Sequence, residues 1–168
     1  TTPARVIFNR FRERLHQQYD YVQELLKQNK FDFTGNDRFV TDRKKVAVLG
    51  STGSIGRQSL DVIRQFPERW EVVGLAAGRN HALLAEQVRE FCPERVSWEA
   101  VASPVLEDAI AASGSRRADP IEMALACDIP MIGTAGAAGL LPTLAALKAG
   151  KSVAIANKEV LVMAGHLV

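Results

Sequence analysis

Val46-Ala47-Val48-Leu49-Gly50-Ser51-Thr52-Gly53-Ser54-Ile55-Gly56 joins a short continuous apolar run to a turn punctuated by three glycines. A run that is apolar on both faces suits a strand buried in a parallel sheet. Leu60, Ile63 and Phe66 then recur at helical spacing, which predicts a helix over Ile55–Phe66. Pro67 and Glu68 break it, and Glu71–Ala77 reads as a second strand. Strand, tight turn, helix and strand make a βαβ unit, whose right-handed crossover forces the two strands to be parallel. The expected fold is therefore α/β: a Rossmann-like, doubly wound, mostly parallel sheet.

Working toward the carboxyl terminus, the alternation continues. Helices are expected near His81–Phe91, Pro104–Ala112 and Ile121–Ala126, with a short strand near Val96 and another over Ile129–Gly133 despite Pro130. Leu140–Ala149 reads as a helix closed by Gly150 at C′, and Ser152–Ala156 as a last apolar strand. Asn157-Lys158-Glu159 then falls at the carboxyl end of that strand, the edge where open α/β sheets bind ligands.

Toward the amino terminus the character changes. Phe8, Phe11, Leu15, Tyr19, Val22 and Leu26 fall three or four apart, predicting an amphipathic helix over residues 4–28 whose stripe needs a partner, either its own domain or a neighbouring subunit. Residues 29–44 read as a polar connection with turn chemistry at Gly35, Asn36 and Asp37. Residues 1–45 carry 10 basic and 6 acidic side chains, whereas 46–168 carry 11 and 13, so the leading segment is physically distinct. The expected organisation is an N-terminal helical extension and linker over 1–44 and a Rossmann-like domain over 45–168.

Composition removes several classes. With 168 residues, 47% hydrophobic, one sizeable core is the default. A net charge of +2 is too balanced to argue for nucleic acid. No apolar run reaches the ~18 residues of a membrane span. Cys92 and Cys127 lie far apart with no ligand-like spacing, which points away from a disulfide framework or a zinc site. The chain begins at Thr1, so the amino terminus is expected to have been processed, trimmed or omitted, and an organellar transit peptide could already be gone.

Gly50, Gly53 and Gly56 form G-x-x-G-x-x-G between the expected strand and helix. Glycine there allows a sharp turn, close approach of a pyrophosphate and tight helix packing, with helix amides facing the anion. The second strand ends in Ala76-Ala77-Gly78-Arg79-Asn80, with no acid for a ribose 2′-hydroxyl and with a guanidinium suited to a 2′-phosphate. NADP is thus favoured over NAD.

Four ordered segments resemble the signatures of the 1-deoxy-D-xylulose 5-phosphate reductoisomerase family: Gly50–Gly56, Ala77–Asn80, Gly136–Thr143 and Ala156–Glu159. The resemblance covers about residues 45–168. It implies NADPH and a Mg²⁺ or Mn²⁺ ion, and conversion of a sugar phosphate to 2-C-methyl-D-erythritol 4-phosphate in isoprenoid synthesis. It assigns Thr52, Gly53, Ser54 and Ile55 to the NADPH phosphates and Gly78, Arg79 and Asn80 to the adenosine end. Asn157 and Glu159 would line the cofactor site, and Lys158 would touch the substrate.

Two departures stand beside it. The family's acidic metal ligands fall beyond the motif at Asn157–Glu159, so no metal ligand and no catalytic residue is expected within this chain, and residues 1–168 alone are expected to be inactive. The stretch from Cys92 to Ile129 looks short, as if the strand following the helix near Ala112 were missing. The competing reading is a catalytically inactive nucleotide-binding subunit of a larger assembly, with a homodimer or partner subunit docking on residues 4–28. The implied setting is bacterial cytoplasm or plastid stroma.

Overall fold

A computed structural model describes residues 43–164. The helix expected over residues 4–28 lies outside them. Within the described residues, six strands form one sheet, β1 Lys44–Leu49, β2 Trp70–Ala76, β3 Arg95–Ser97, β4 Arg116–Arg117, β5 Ile129–Ile132 and β6 Ala154–Ile155, in the spatial order β4-β3-β2-β1-β5-β6. Every pairing is parallel. The connecting helices are α1 Ser54–Gln65, α2 His81–Phe91, α3 Pro104–Ser113, α4 Pro120–Ala126, α5 Leu140–Lys148 and α6 Lys158–Ala164, with a 3₁₀ turn at Gly136–Gly139.

The side chains of β1 alternate across the sheet as a strand's geometry requires. Val46 and Val48 join a core with Leu60, Ile63, Leu84, Val88 and Leu106 from α1, α2 and α3. Ala47 and Leu49 join a second core with Met123, Cys127 and Ile132 on the other face. A register shift between Val46 and Ala47 breaks strict alternation in β2, so Val72 and Leu75 share the first core although three residues apart. Burial on both faces explains why β1 reads as an unbroken apolar run.

Among the described residues the expected elements occur with boundaries moved by a residue or two, and two expectations are corrected. The strand that looked missing after the helix near Ala112 is present as β4, whose Arg116 and Arg117 pair with Arg95 and Val96. It is an edge strand of two exposed arginines, so it carries no apolar signal. The last strand is shorter than Ser152–Ala156: only Ala154 and Ile155 pair, opposite Met131 and Ile132, and both are half-buried. Gly150 follows the end of α5 at φ +73°, the left-handed conformation expected at C′.

Candidate functional site

The strand order reverses direction between β1 and β5, the position at which a crevice opens outside the carboxyl ends of the strands. A cavity there, about 410 Å³, is lined by the Gly50–Gly53 bend, by Ala76–Gly78 at the end of β2, by Ser97–Glu99 at the end of β3 and by Gly133–Ala135 after β5.

Two glycines make the bend possible. Gly50 has φ +88°, and a β-carbon on it would stand 2.6 Å from the carbonyl oxygen of Gly133. A β-carbon on Gly56 would stand 2.2 Å from the carbonyl oxygen of Gly50, so α1 presses on the turn more closely than any side chain allows. The amides of Gly50 and Ser51 both donate to the carbonyl of Ala76, at 2.8 Å each, tying the bend to β2. Gln87, buried on α2, donates through Nε2 to the carbonyl of Ser51 at 3.0 Å and ties it to a third element.

The helix that leaves this bend is open to an acceptor. Gly53 is its N-cap, no side chain caps it, and its first turn holds no acidic residue. Its first amides, at Ser54, Ile55 and Gly56, therefore lack the partners that a capping side chain would supply. Gly53, Ser54 and Ile55 are exposed at its mouth and Thr52 is half-buried. The hydroxyl of Ser51, fully buried, has no hydrogen-bond partner among the described residues. A bend rich in unfilled donors, aimed along a helix dipole, fits an anion such as a pyrophosphate.

Gly78 and Arg79 lie on the neighbouring loop, and Asn80 caps α2 by accepting from the amide of Leu83 at 3.2 Å. The loop after β3 meets them. Arg79 Nε lies 3.8 Å from Glu99 Oε2, and the amide of Glu99 donates to the carbonyl of Gly78 at 3.2 Å. Trp98 adds an aromatic wall, its ring 4.5 Å beneath the guanidinium of Arg117.

At the other side of the crevice Asn157 is buried and fully engaged. Its Nδ2 donates to the carbonyls of Thr134 at 2.8 Å and Gly136 at 2.9 Å, and its Oδ1 accepts from the amide of Val160 at 3.1 Å, capping α6. It therefore shapes the crevice through the loop after β5. Lys158 is exposed and Glu159 half-buried in the first turn of α6. The structure thus brings the bend and the Gly78–Asn80 loop to one crevice, with the Asn157 segment joined to it through Thr134. Glu99, Trp98, Gln87 and Thr134 are parts that sequence reasoning missed. The signal for Glu99 and Trp98 was the carboxyl end of the short strand near Val96, a ligand-facing edge.

The family model described as 1-deoxy-D-xylulose 5-phosphate reductoisomerase matches residues 46–165. The chain belongs to the 1-deoxy-D-xylulose 5-phosphate reductoisomerase family. The enzyme of that name from Pelodictyon phaeoclathratiforme is 47% identical over 132 residues, 74% of this chain and 35% of its own length. The one from Acaryochloris marina is 46% identical over 137 residues, 74% of this chain and 33% of its own.

Among solved structures, the reductoisomerase from Zymomonas mobilis in complex with NADPH aligns with a TM-score of 0.65 at 40% identity, over 74% of this chain and 35% of that one. Another reductoisomerase, in complex with NADPH, fosmidomycin and magnesium, aligns with a TM-score of 0.65 at 37% identity, over 73% of this chain and 32% of that one. The chain spans about a third of the length of these relatives. A second family model, the tail specific protease N-terminal domain, matches residues 1–48, almost all outside the described residues. Among the described residues no group of three or more His, Cys, Asp and Glu could hold a metal, and no helix is long and apolar enough to cross a membrane.

Proposed function

We propose that residues 45–168 are the nucleotide-holding part of a reductoisomerase and bind NADPH across the crevice between β1 and β5. The observation that carries this reading is the first turn of α1, uncapped and without an acid, above a bend fixed to β2 and α2. Thr52, Gly53, Ser54 and Ile55 take the pyrophosphate, where main-chain donors meet the positive end of the helix dipole. Gly78, Arg79 and Asn80 hold the adenosine end, Arg79 meeting the 2′-phosphate with its forked donors.

Asn157 serves the nucleotide by fixing the loop after β5, and Glu159 lines the same side. Lys158 reaches toward a sugar phosphate, the one substrate contact this segment contributes. Bound NADPH would supply hydride, and a divalent Mg²⁺ or Mn²⁺ ion held by acidic residues outside the described segment would polarise the substrate oxygens. The whole reaction gives 2-C-methyl-D-erythritol 4-phosphate for isoprenoid synthesis, in a bacterial cytoplasm or plastid stroma. Residues 1–44 are available to a partner, and residues 1–48 match the model of the tail specific protease N-terminal domain.

Calorimetric titration of the 168-residue chain tests the cofactor assignment. NADPH is expected to bind more tightly than NADH, and Arg79→Asp to weaken NADPH selectively. Equal affinities, or no loss on substitution, would overturn it. Residues 1–168 are expected to bind without turning over the sugar phosphate, so metal-dependent NADPH oxidation by this chain would contradict the division of labour.

A further inference from the structure

The acid absent from the end of β2 is supplied from β3. Glu99 stands in the loop after that strand, and its Oε2 is 3.8 Å from Nε of Arg79. The same oxygen lies 3.7 Å from the point where a β-carbon on Gly78 would be, so the carboxylate leans over the open backbone at which the ribose is held in the reading above. Both residues line the crevice cavity.

Its main chain is gripped from two sides. The amide of Glu99 donates to the carbonyl of Gly78 at 3.2 Å, and the Glu99 carbonyl is 2.9 Å from Nε2 of His81. The other ring nitrogen, Nδ1, accepts from the amide of Ser103 at 3.2 Å. The second bond requires a lone pair on Nδ1, so the ring carries its proton on Nε2 and donates to Glu99. His81, the first residue of α2, thereby clamps both ends of the loop that runs from Glu99 through Ala100, at φ +63°, to Ser103. The backbone that carries the carboxylate is thereby held beside the Arg79 loop.

We infer that Glu99 is a specificity-determining residue that narrows the preference for NADPH over NADH, by competing with the 2′-phosphate for Arg79 and by accepting from a 2′-hydroxyl. The inference rests on the NADPH reading. The Arg79 side chain is 88% exposed and the ion pair long, so it exchanges readily and the nucleotide is not excluded. An incoming 2′-phosphate gains the guanidinium but meets a neighbouring like charge. An incoming 2′-hydroxyl finds the acceptor that NAD sites place at the end of β2.

The test is the ratio of NADPH to NADH affinities for the whole chain and for Glu99→Gln, measured by calorimetry in one buffer. Glutamine preserves shape and the main-chain grip while removing the charge. The ratio is expected to rise about three- to tenfold, through tighter NADPH binding and weaker or unchanged NADH binding. Arg79→Gln should remove most of that gain in the double variant. A ratio that stays constant or falls, including equal loosening of both nucleotides, overturns the inference while leaving the NADPH reading intact. A wild-type chain that binds neither nucleotide overturns both.

Discussion

The carbonyl oxygen of Gly50 and the α-carbon of Gly56 approach so closely that a β-carbon on Gly56 would lie 2.2 Å from that oxygen. This contact joins the end of β1 to α1 and holds the first-turn amides over the crevice. The chemistry proposed for the chain depends on it, because an anion is bound by the direction of those amides and by little else at that point.

Gly56→Ala is therefore expected to destabilise the chain by about 2–3 kcal/mol, as overpacking against backbone does. It should also abolish NADPH binding where the fold survives. Gly53→Ala meets the same oxygen at 3.2 Å and should cost less. Urea denaturation of both variants checks the order. Equal stability of Gly56→Ala and the parent would mean that the bend is looser than described.

Asn157→Ala removes one side chain that serves three backbone groups, the carbonyls of Thr134 and Gly136 and the amide of Val160. A loss of about 2–4 kcal/mol is expected, a lost cap together with unpaired buried carbonyls. Asn157→Asp keeps the cap but turns a donor into an acceptor facing two carbonyls, and should not rescue. Thermal melts of the two variants test this. Recovery by aspartate would show that only the cap matters.

Much of the fold was legible because the strongest signals are local. The run Val46–Leu49 is apolar on both faces since both cores use it, and α1, α2 and α3 keep helical spacing because each buries one stripe. β4 was not legible: its two arginines are exposed and only main-chain pairing with Arg95 and Val96 makes them a strand. In the site, the bend and Arg79 could be read from residue type and position. The bond from Gln87 to Ser51 spans 36 residues, and Glu99 reaches Arg79 only because β3 lies beside β2. Pairings of that range follow from strand order, which no single stretch encodes.

Arg64 of α1 holds Glu90 of α2 through Nε and Nη2, at 2.5 Å and 2.7 Å. Those bonds and the attached positive charge keep the Glu90 carboxyl below its ordinary range. Glu90 thus stays ionised in the folded chain at pH values where the unfolded chain has begun to protonate it. Its contribution is fully present above the ordinary glutamate value of about 4.3 and disappears as pH falls through the lower folded value. Both side chains are about 40% exposed, so Glu90→Gln should cost about 0.5 kcal/mol at pH 7 and nothing at the acid end. Denaturation midpoints across that range check the convergence, and a gap that persists in acid would assign the loss to packing.

The most direct test of nucleotide binding at the bend is an amide NMR titration of the chain with NADPH. The resonances of Thr52, Gly53, Ser54, Ile55 and Gly56, with those of Gly78 and Arg79, are expected to shift saturably, while Trp70 and Arg95, at the amino ends of their strands, stay still. Saturable shifts confined to the Trp70 and Arg95 edge, or no shift at Ser54–Gly56 at saturating NADPH, would contradict the account.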